Sequence, residues 1–385
     1  MKITDIKPWI VRVPSKEHGR THREFVFVQV DTSDGITGWG EVTTYPGPIA
    51  NRAVCAVLRQ MRDLLAGDDT SRIEAIWHKV FRAFTYMGSR GMTTAVASGI
   101  DIALWDIRGK ELKLPIYQLL GGAVREDIPL YTHPPRATTV EESARLAKET
   151  VDIGYKAIKT DPFWEEKAVT QTTYLSGQIS PEGEQKGVDI IAAIREAVGP
   201  KVEVMIDAHA HYNVPTAVRL ATRLAPYNLT WFEEPVPPES YHALKQVRQQ
   251  VPVRICVGER LHTRFEFVPI FENQLADYIM PDVTWTGGIT ELKKIANLAE
   301  AYYIPITPHD ASGPINIMAG AHTMMTVPNF YRLESARLFV ETYSSFLVTP
   351  LDIRDGTLYV SDRPGLGIEF DMEYLRKNAA PGWGG

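Results

Sequence analysis

Five ionisable side chains close five successive β-forming runs: Asp207 after VEVMI, Glu233 after LTWF, Glu259 after RICVG, Asp282 after YIMP and His309 after IPITP. They stand 23 to 27 residues apart, about the length of one strand–loop–helix unit, so each falls at the same end of its own unit. Eight such runs are readable, at 128–133, 157–163, 202–209, 229–235, 254–259, 278–283, 304–310 and 330–335. Amphipathic stretches such as VPTAVRLATRLA and ITELKKIANLAEAYY lie between most of them. The expected architecture is α/β, a (β/α)8 TIM barrel, with a doubly wound sheet as the runner-up. The last helix has no clear place, so the barrel is expected in a modified form.

The rest of the chain reads differently. Strands come first (Ile3 to Val13, FVFVQV at 25–30, a DTSDG turn and ITGWGE), then helices from about Pro48, and LPIYQLLGG closes the region. This gives an α+β domain over 1–125, a barrel over 126–348, and a segment over 349–385 that returns to the first domain. A chain of 385 residues is long for one core, which agrees with two domains. Net charge is −6 with no Lys/Arg run, so a nucleic-acid partner is not expected. No apolar stretch reaches the roughly 20 residues of a membrane helix. The opening MKITDIKPWIVRVP lacks the apolar core of a signal peptide, and the only thiols are Cys55 and Cys256. A cytoplasmic location is expected.

Barrel enzymes work at the C-terminal rim of their strands. Asp207, Glu233 and Glu259 on consecutive strands form an all-oxygen set suited to a hard cation such as Mg²⁺. Singly, each would pass for a solvated loop acid; three in register would not. Asp282 and His309 make a pair in which the carboxylate fixes the tautomer of the imidazole and raises its basicity, as a general base requires. His209 follows Asp207 by two residues and shares its strand face if the strand continues. It serves either as the acid that protonates a departing hydroxyl or as a substrate-binding histidine. His211 shares that parity only if the strand runs further still.

These residues carry a resemblance over almost the whole chain. GWGE (38–41), ALWDIRGK (103–110), KTDPF (159–163), MIDAH (205–209), WFEEPVPPE (231–239), VGERLHTR (257–264), PDVTWTGGITE (281–291) and PHDASGP (308–314) resemble the mandelate racemase subgroup of the enolase superfamily. Within it the chain is similar to acid-sugar dehydratases of the galactonate dehydratase type. The resemblance implies one Mg²⁺ per active site on Asp207, Glu233 and Glu259, with Asp282 and His309 as the base dyad. It implies that Glu334 hydrogen-bonds the substrate carboxylate or enolate and that Glu234 faces away. Homo-oligomeric assembly is implied as well. Racemases of the subgroup end the second barrel strand in Lys-x-Lys; here it is Lys159-Thr160-Asp161, which counts against two-sided proton exchange. Lys159 binds the substrate carboxylate or enolate oxygen, or simply pairs with a nearby acid.

The expected reaction is dehydration of a small-molecule sugar acid, aldonate or aldarate, to a 2-keto-3-deoxy acid, with an N-terminal α+β capping domain closing over the rim. The substrate-binding set is Lys159, Asp161, Glu334 and His211, joined by His18 and Arg20 from the 15–24 loop, whose alternative is a solvated charged loop. The long connection at 169–187, with Tyr174, is a second candidate lid or an oligomer contact. Epimerisation or cycloisomerisation begins with the same proton abstraction, and a non-catalytic metal- or sugar-acid-binding barrel is the non-enzymatic reading. A redox dehydrogenase is disfavoured, since no G-x-G-x-x-G follows a strand.

Overall fold

The computed structural model describes residues 1–15, 21–43, 48–164 and 176–385. Strands β1 (Ile3–Pro14), β2 (His22–Thr32) and β3 (Thr37–Glu41) form an antiparallel meander. The near-continuous apolar run FVFV in β2 reflects burial on both faces. Val26 and Val28 meet the helices Pro48–Leu65, Ile73–Ala83 and Met92–Leu112, while Phe25 and Phe27 face Phe346, Phe370 and the barrel side. Glycine is needed in β3 because the long helix lies directly on it. A Cβ on Gly40 would stand 1.9 Å from the Gly99 carbonyl oxygen, and one on Gly38 2.2 Å from that of Ala103.

The second sheet is the barrel. Strands β4 (Ile128–Thr132), β5 (Ala157–Thr160), β6 (Glu203–Asp207), β7 (Trp231–Glu233), β8 (Ile255–Val257) and β9 (Tyr278–Ile279) run parallel in chain order. The expected seventh strand at 304–310 contracts to single bridges that join Ile306 to Ile279 and to Phe330. β10 (Leu333–Ser335) then pairs with β4 and closes the ring. The strands are shorter than expected, so Asp282 and His309 each sit three residues beyond the paired backbone, on the loops rather than on strand ends. A helix does follow the last strand, the short Arg337–Tyr343.

The connection after β5 also differs from expectation. Ser180 caps the Gly183 N–H and Pro181 occupies the first turn, so the helix Pro181–Val198 begins inside the stretch that sequence alone read as a loop to 187. Tyr174 lies outside the described residues. In the tail, the hairpin β11 (Ile353–Arg354) and β12 (Thr357–Leu358) pairs with β4 of the barrel. β13 (Ala379–Gly384) pairs with β1, so the 349–385 segment is attached to both sheets. No helix among the described residues is long and apolar enough to cross a membrane.

Inside the ring, Tyr131, Ala157, Met205, Trp231, Cys256 and Met280 form one buried layer. Side chains two residues further along a strand point to the same side. That parity carries His133, Lys159, Asp207 and Glu233 to the mouth directly above the layer. Cys256 breaks the pattern: two residues on stands Gly258 at φ 132°, a conformation that favours glycine, and the carboxylate comes from Glu259.

Candidate active site

Asp207 and Glu233 are register partners across β6 and β7. With Glu259 they offer carboxylate oxygens that all lie within 4.8 Å of one another, and all three residues are buried. Burial and the neighbouring Asp207 push the Glu233 carboxyl well above the ordinary range. A cluster of buried like charges is costly without a counter-charge, and a small all-oxygen set of this kind fits a hard divalent cation.

Lys159 stands among the same acids, 1% exposed, with Nζ 2.6 Å from Glu233, 2.8 Å from Glu334 and 3.8 Å from Asp207. Burial alone would lower its pKa, but Glu233, Glu334 and Asp207 outweigh burial and hold it well above the ordinary value. Glu334 behaves oppositely. Despite burial, Lys159 and His309 keep it well below the carboxylate range, and it also takes hydrogen bonds from Tyr131 Oη at 3.0 Å and the Asp310 N–H at 3.2 Å. Its other oxygen lies 2.5 Å from His133 Nε2.

His309 Nδ1 is 2.8 Å from Asp282 Oδ2, and its Nε2 faces the acid cluster, 3.2 Å from Glu259 Oε2. Burial would depress this imidazole, yet Glu334, Asp282 and Glu259 raise it to about 10. Asp282 is fully buried and saturated. Thr284 donates its N–H and hydroxyl to Oδ1, while Asn316 Nδ2 joins His309 on Oδ2. The Trp285 ring lies 5.5 Å from the His309 ring, and its Nε1 donates to the Glu259 carbonyl.

His209 reaches the site by a route that strand parity did not foresee. β6 ends at Asp207, and His209 and Ala210 adopt left-handed backbone, φ 51° and 55°. The turn brings His209 Nε2 to 3.1 Å from Asp207 Oδ2 and Nδ1 to 2.9 Å from Asp161 Oδ2. The expectation that Asp161 contacts substrate is therefore set beside a direct contact with His209. His211 is buried, its Nδ1 3.2 Å from the Ala208 carbonyl. Glu234, at φ 41°, is also buried and accepts the Gly258 N–H at 2.7 Å.

His18 and Arg20 lie outside the described residues. Of the same loop, His22 is exposed and Arg23 donates to the Ala311 carbonyl, two residues past His309. Sequence reasoning passed over His133, although it ends its run IPLYTH as the other rim residues end theirs. It also passed over Asn316, for which no linear signal exists.

Comparison with known proteins bears on the family and the fold. The family model described as "Mandelate racemase / muconate lactonizing enzyme, N-terminal domain" matches residues 6–121, and "Enolase C-terminal domain-like" matches 142–374. The chain is similar to a D-galactonate dehydratase of Pectobacterium atrosepticum, 33% identical, over 100% of this chain and 96% of that one. It is also similar to a D-galactarolactone cycloisomerase of Agrobacterium fabrum, 33% identical over 93% and 92% of the two chains. Among solved structures, a mandelate racemase/muconate lactonizing enzyme-like protein from Rubrobacter xylanophilus superposes with a TM-score of 0.89 at 34% identity, covering 100% and 99%.

Proposed function

The chain belongs to the mandelate racemase/muconate lactonizing enzyme family of the enolase superfamily, and on that footing we propose that it is a hydro-lyase that dehydrates a sugar acid, aldonate or aldarate, to a 2-keto-3-deoxy acid. The observation that carries the reading is the Asp282–His309 pair with Nε2 turned toward the Asp207–Glu233–Glu259 cluster.

Asp207, Glu233 and Glu259 would hold one Mg²⁺, which would supply a Lewis acid for the negative charge that develops on the substrate carboxylate. His309 Nε2 removes the proton from C2, with Asp282 at Nδ1 fixing the tautomer. Lys159 and Glu334 bind and orient the carboxylate end, the ammonium adding charge stabilisation where the enolate forms. His209 gives a proton to the 3-hydroxyl as the C3–O bond breaks, and Asp161 holds its ring. Water leaves, and the enol product tautomerises to the 2-keto acid. His133, whose Nε2 lies against Glu334 Oε1, helps to hold that carboxylate in place at the rim.

The test is a panel of aldonates and aldarates incubated with Mg²⁺ and read by semicarbazide for 2-keto-3-deoxy products. One strong hit abolished by EDTA is expected. Silence across the panel together with α-proton exchange in D₂O would reject dehydration and favour the second reading, cycloisomerisation or epimerisation, which the similarity to a cycloisomerase motivates.

A further inference from the structure

Asn316 and Glu41 connect the proposed base to the capping sheet. The helix Pro314–Met324 follows the His309 loop, and its N-cap, Gly313, has no side chain to satisfy the first turn. The acceptor comes from the other domain. Glu41, the last residue of β3, is fully buried and accepts the Asn316 N–H on Oε2 at 3.1 Å, and a further bond comes from the Gly313 backbone. Thr43 donates its hydroxyl to Oε1 at 2.7 Å and holds the carboxylate in place. A Cβ at Gly313 would lie 2.5 Å from Oε1, so the close approach depends on glycine at that position. The first turn of the same helix carries the Asn316 side chain, whose Nδ2 donates at 3.0 Å to Asp282 Oδ2, the oxygen that also holds His309 Nδ1. The loop between is fastened to the same sheet: Arg23 donates to the Ala311 carbonyl and Ser312 Oγ to the Thr43 carbonyl.

We propose that Glu41 is a positioning residue: acting from the capping sheet as the N-cap of a barrel helix, it sets Asn316 against Asp282 and so fixes the orientation of the His309 imidazole. The base is then aligned only while the capping sheet is docked on the barrel. A carboxylate suits this place because it accepts each of these hydrogen bonds, from Thr43 Oγ1, the Asn316 N–H and the Gly313 backbone. This inference rests on the reading of His309 as base only for its consequence in catalysis; the positioning itself is a statement about the ring.

A second cap of the same kind provides the control. Asp101, on the capping-domain helix Met92–Leu112, accepts the Thr290 N–H and hydroxyl in the first turn of the helix Gly288–Ala301, with no bond to the dyad. The experiment is proton NMR of the full chain with Mg²⁺ alone, following the downfield Nδ1–H resonance of His309, identified by its loss in His309→Asn. Asn316→Ala and Glu41→Ala are expected to move it upfield or lose it to exchange, while Asp101→Ala leaves it in place. Should Glu41→Ala not fold, Glu41→Gln keeps the size and replaces one accepting oxygen with a donor, and the same shift is expected. An unmoved resonance in the Glu41 variants, or an equal change in Asp101→Ala, overturns the proposal. Because no sugar acid is present, this result stands apart from the turnover assay: an inactive parent with the expected shifts would reject the reaction and leave the positioning intact.

Discussion

At the residue scale, the site works through opposed charges held at short range in a buried mouth. His309 and Lys159 are basic groups set among buried acids, and Glu334 and Glu259 raise each of them against the effect of burial. Replacing His309 with Asn removes the proton acceptor while keeping most of the volume. We expect α-proton exchange to fall by about 10²- to 10⁴-fold with Mg²⁺ affinity retained, read by NMR in D₂O and by calorimetry. Lys159→Met has a different signature. It leaves Glu233 and Glu334 buried without their ammonium, and breaking a buried pair from one side costs about 3–5 kcal/mol. Urea denaturation in EDTA should show that loss, and saturating Mg²⁺ should recover part of it, because a ligand held by the folded state stabilises it.

Among the elements, β3 and the helix Met92–Leu112 are in backbone contact, and the contact has no slack. Gly40→Ala would drive a methyl into the Gly99 carbonyl; the expected cost is about 1–3 kcal/mol or more, seen as a lower denaturation midpoint. The same helix carries Asp101, whose pKa burial raises from 3.8 to about 7. Between about pH 4 and 7 the folded chain therefore holds a proton that the unfolded chain has already released. Stability falls as pH rises through that window and levels off above it. Asp101→Asn cannot titrate, so its fall in stability between pH 5 and pH 8 should be smaller than the parent's. A slope equal to the parent's would show that Asp101 does not hold that proton.

For the molecule as a whole, the two sheets are tied by the chain's own tail. β13 lies on β1, with the Trp383 ring 3.9 Å under the Arg59 guanidinium, while β12 extends the barrel at β4. Removing residues 379–385 should expose the β1 edge and lower the thermal midpoint, even though no residue of the acid cluster is touched. An unchanged midpoint would mean that β13 adds nothing to the hold of the capping sheet.

The periodic features of this chain were readable from residues alone. Unit length places Asp207, Glu233, Glu259, Asp282 and His309 at one rim, since a βα repeat has a nearly constant length. What depended on backbone turns and on residues far apart was not. His209 arrives through two left-handed residues rather than through a continued strand, and the 304–310 strand shrinks to two single bridges at Ile306. The carboxylate at position 41 meets the helix at 313–316 only after two domains have docked, because hydrogen-bond partners some 270 residues apart leave no mark in either local sequence. Local periodicity follows from the geometry of one chain segment, whereas those contacts follow from how whole segments pack.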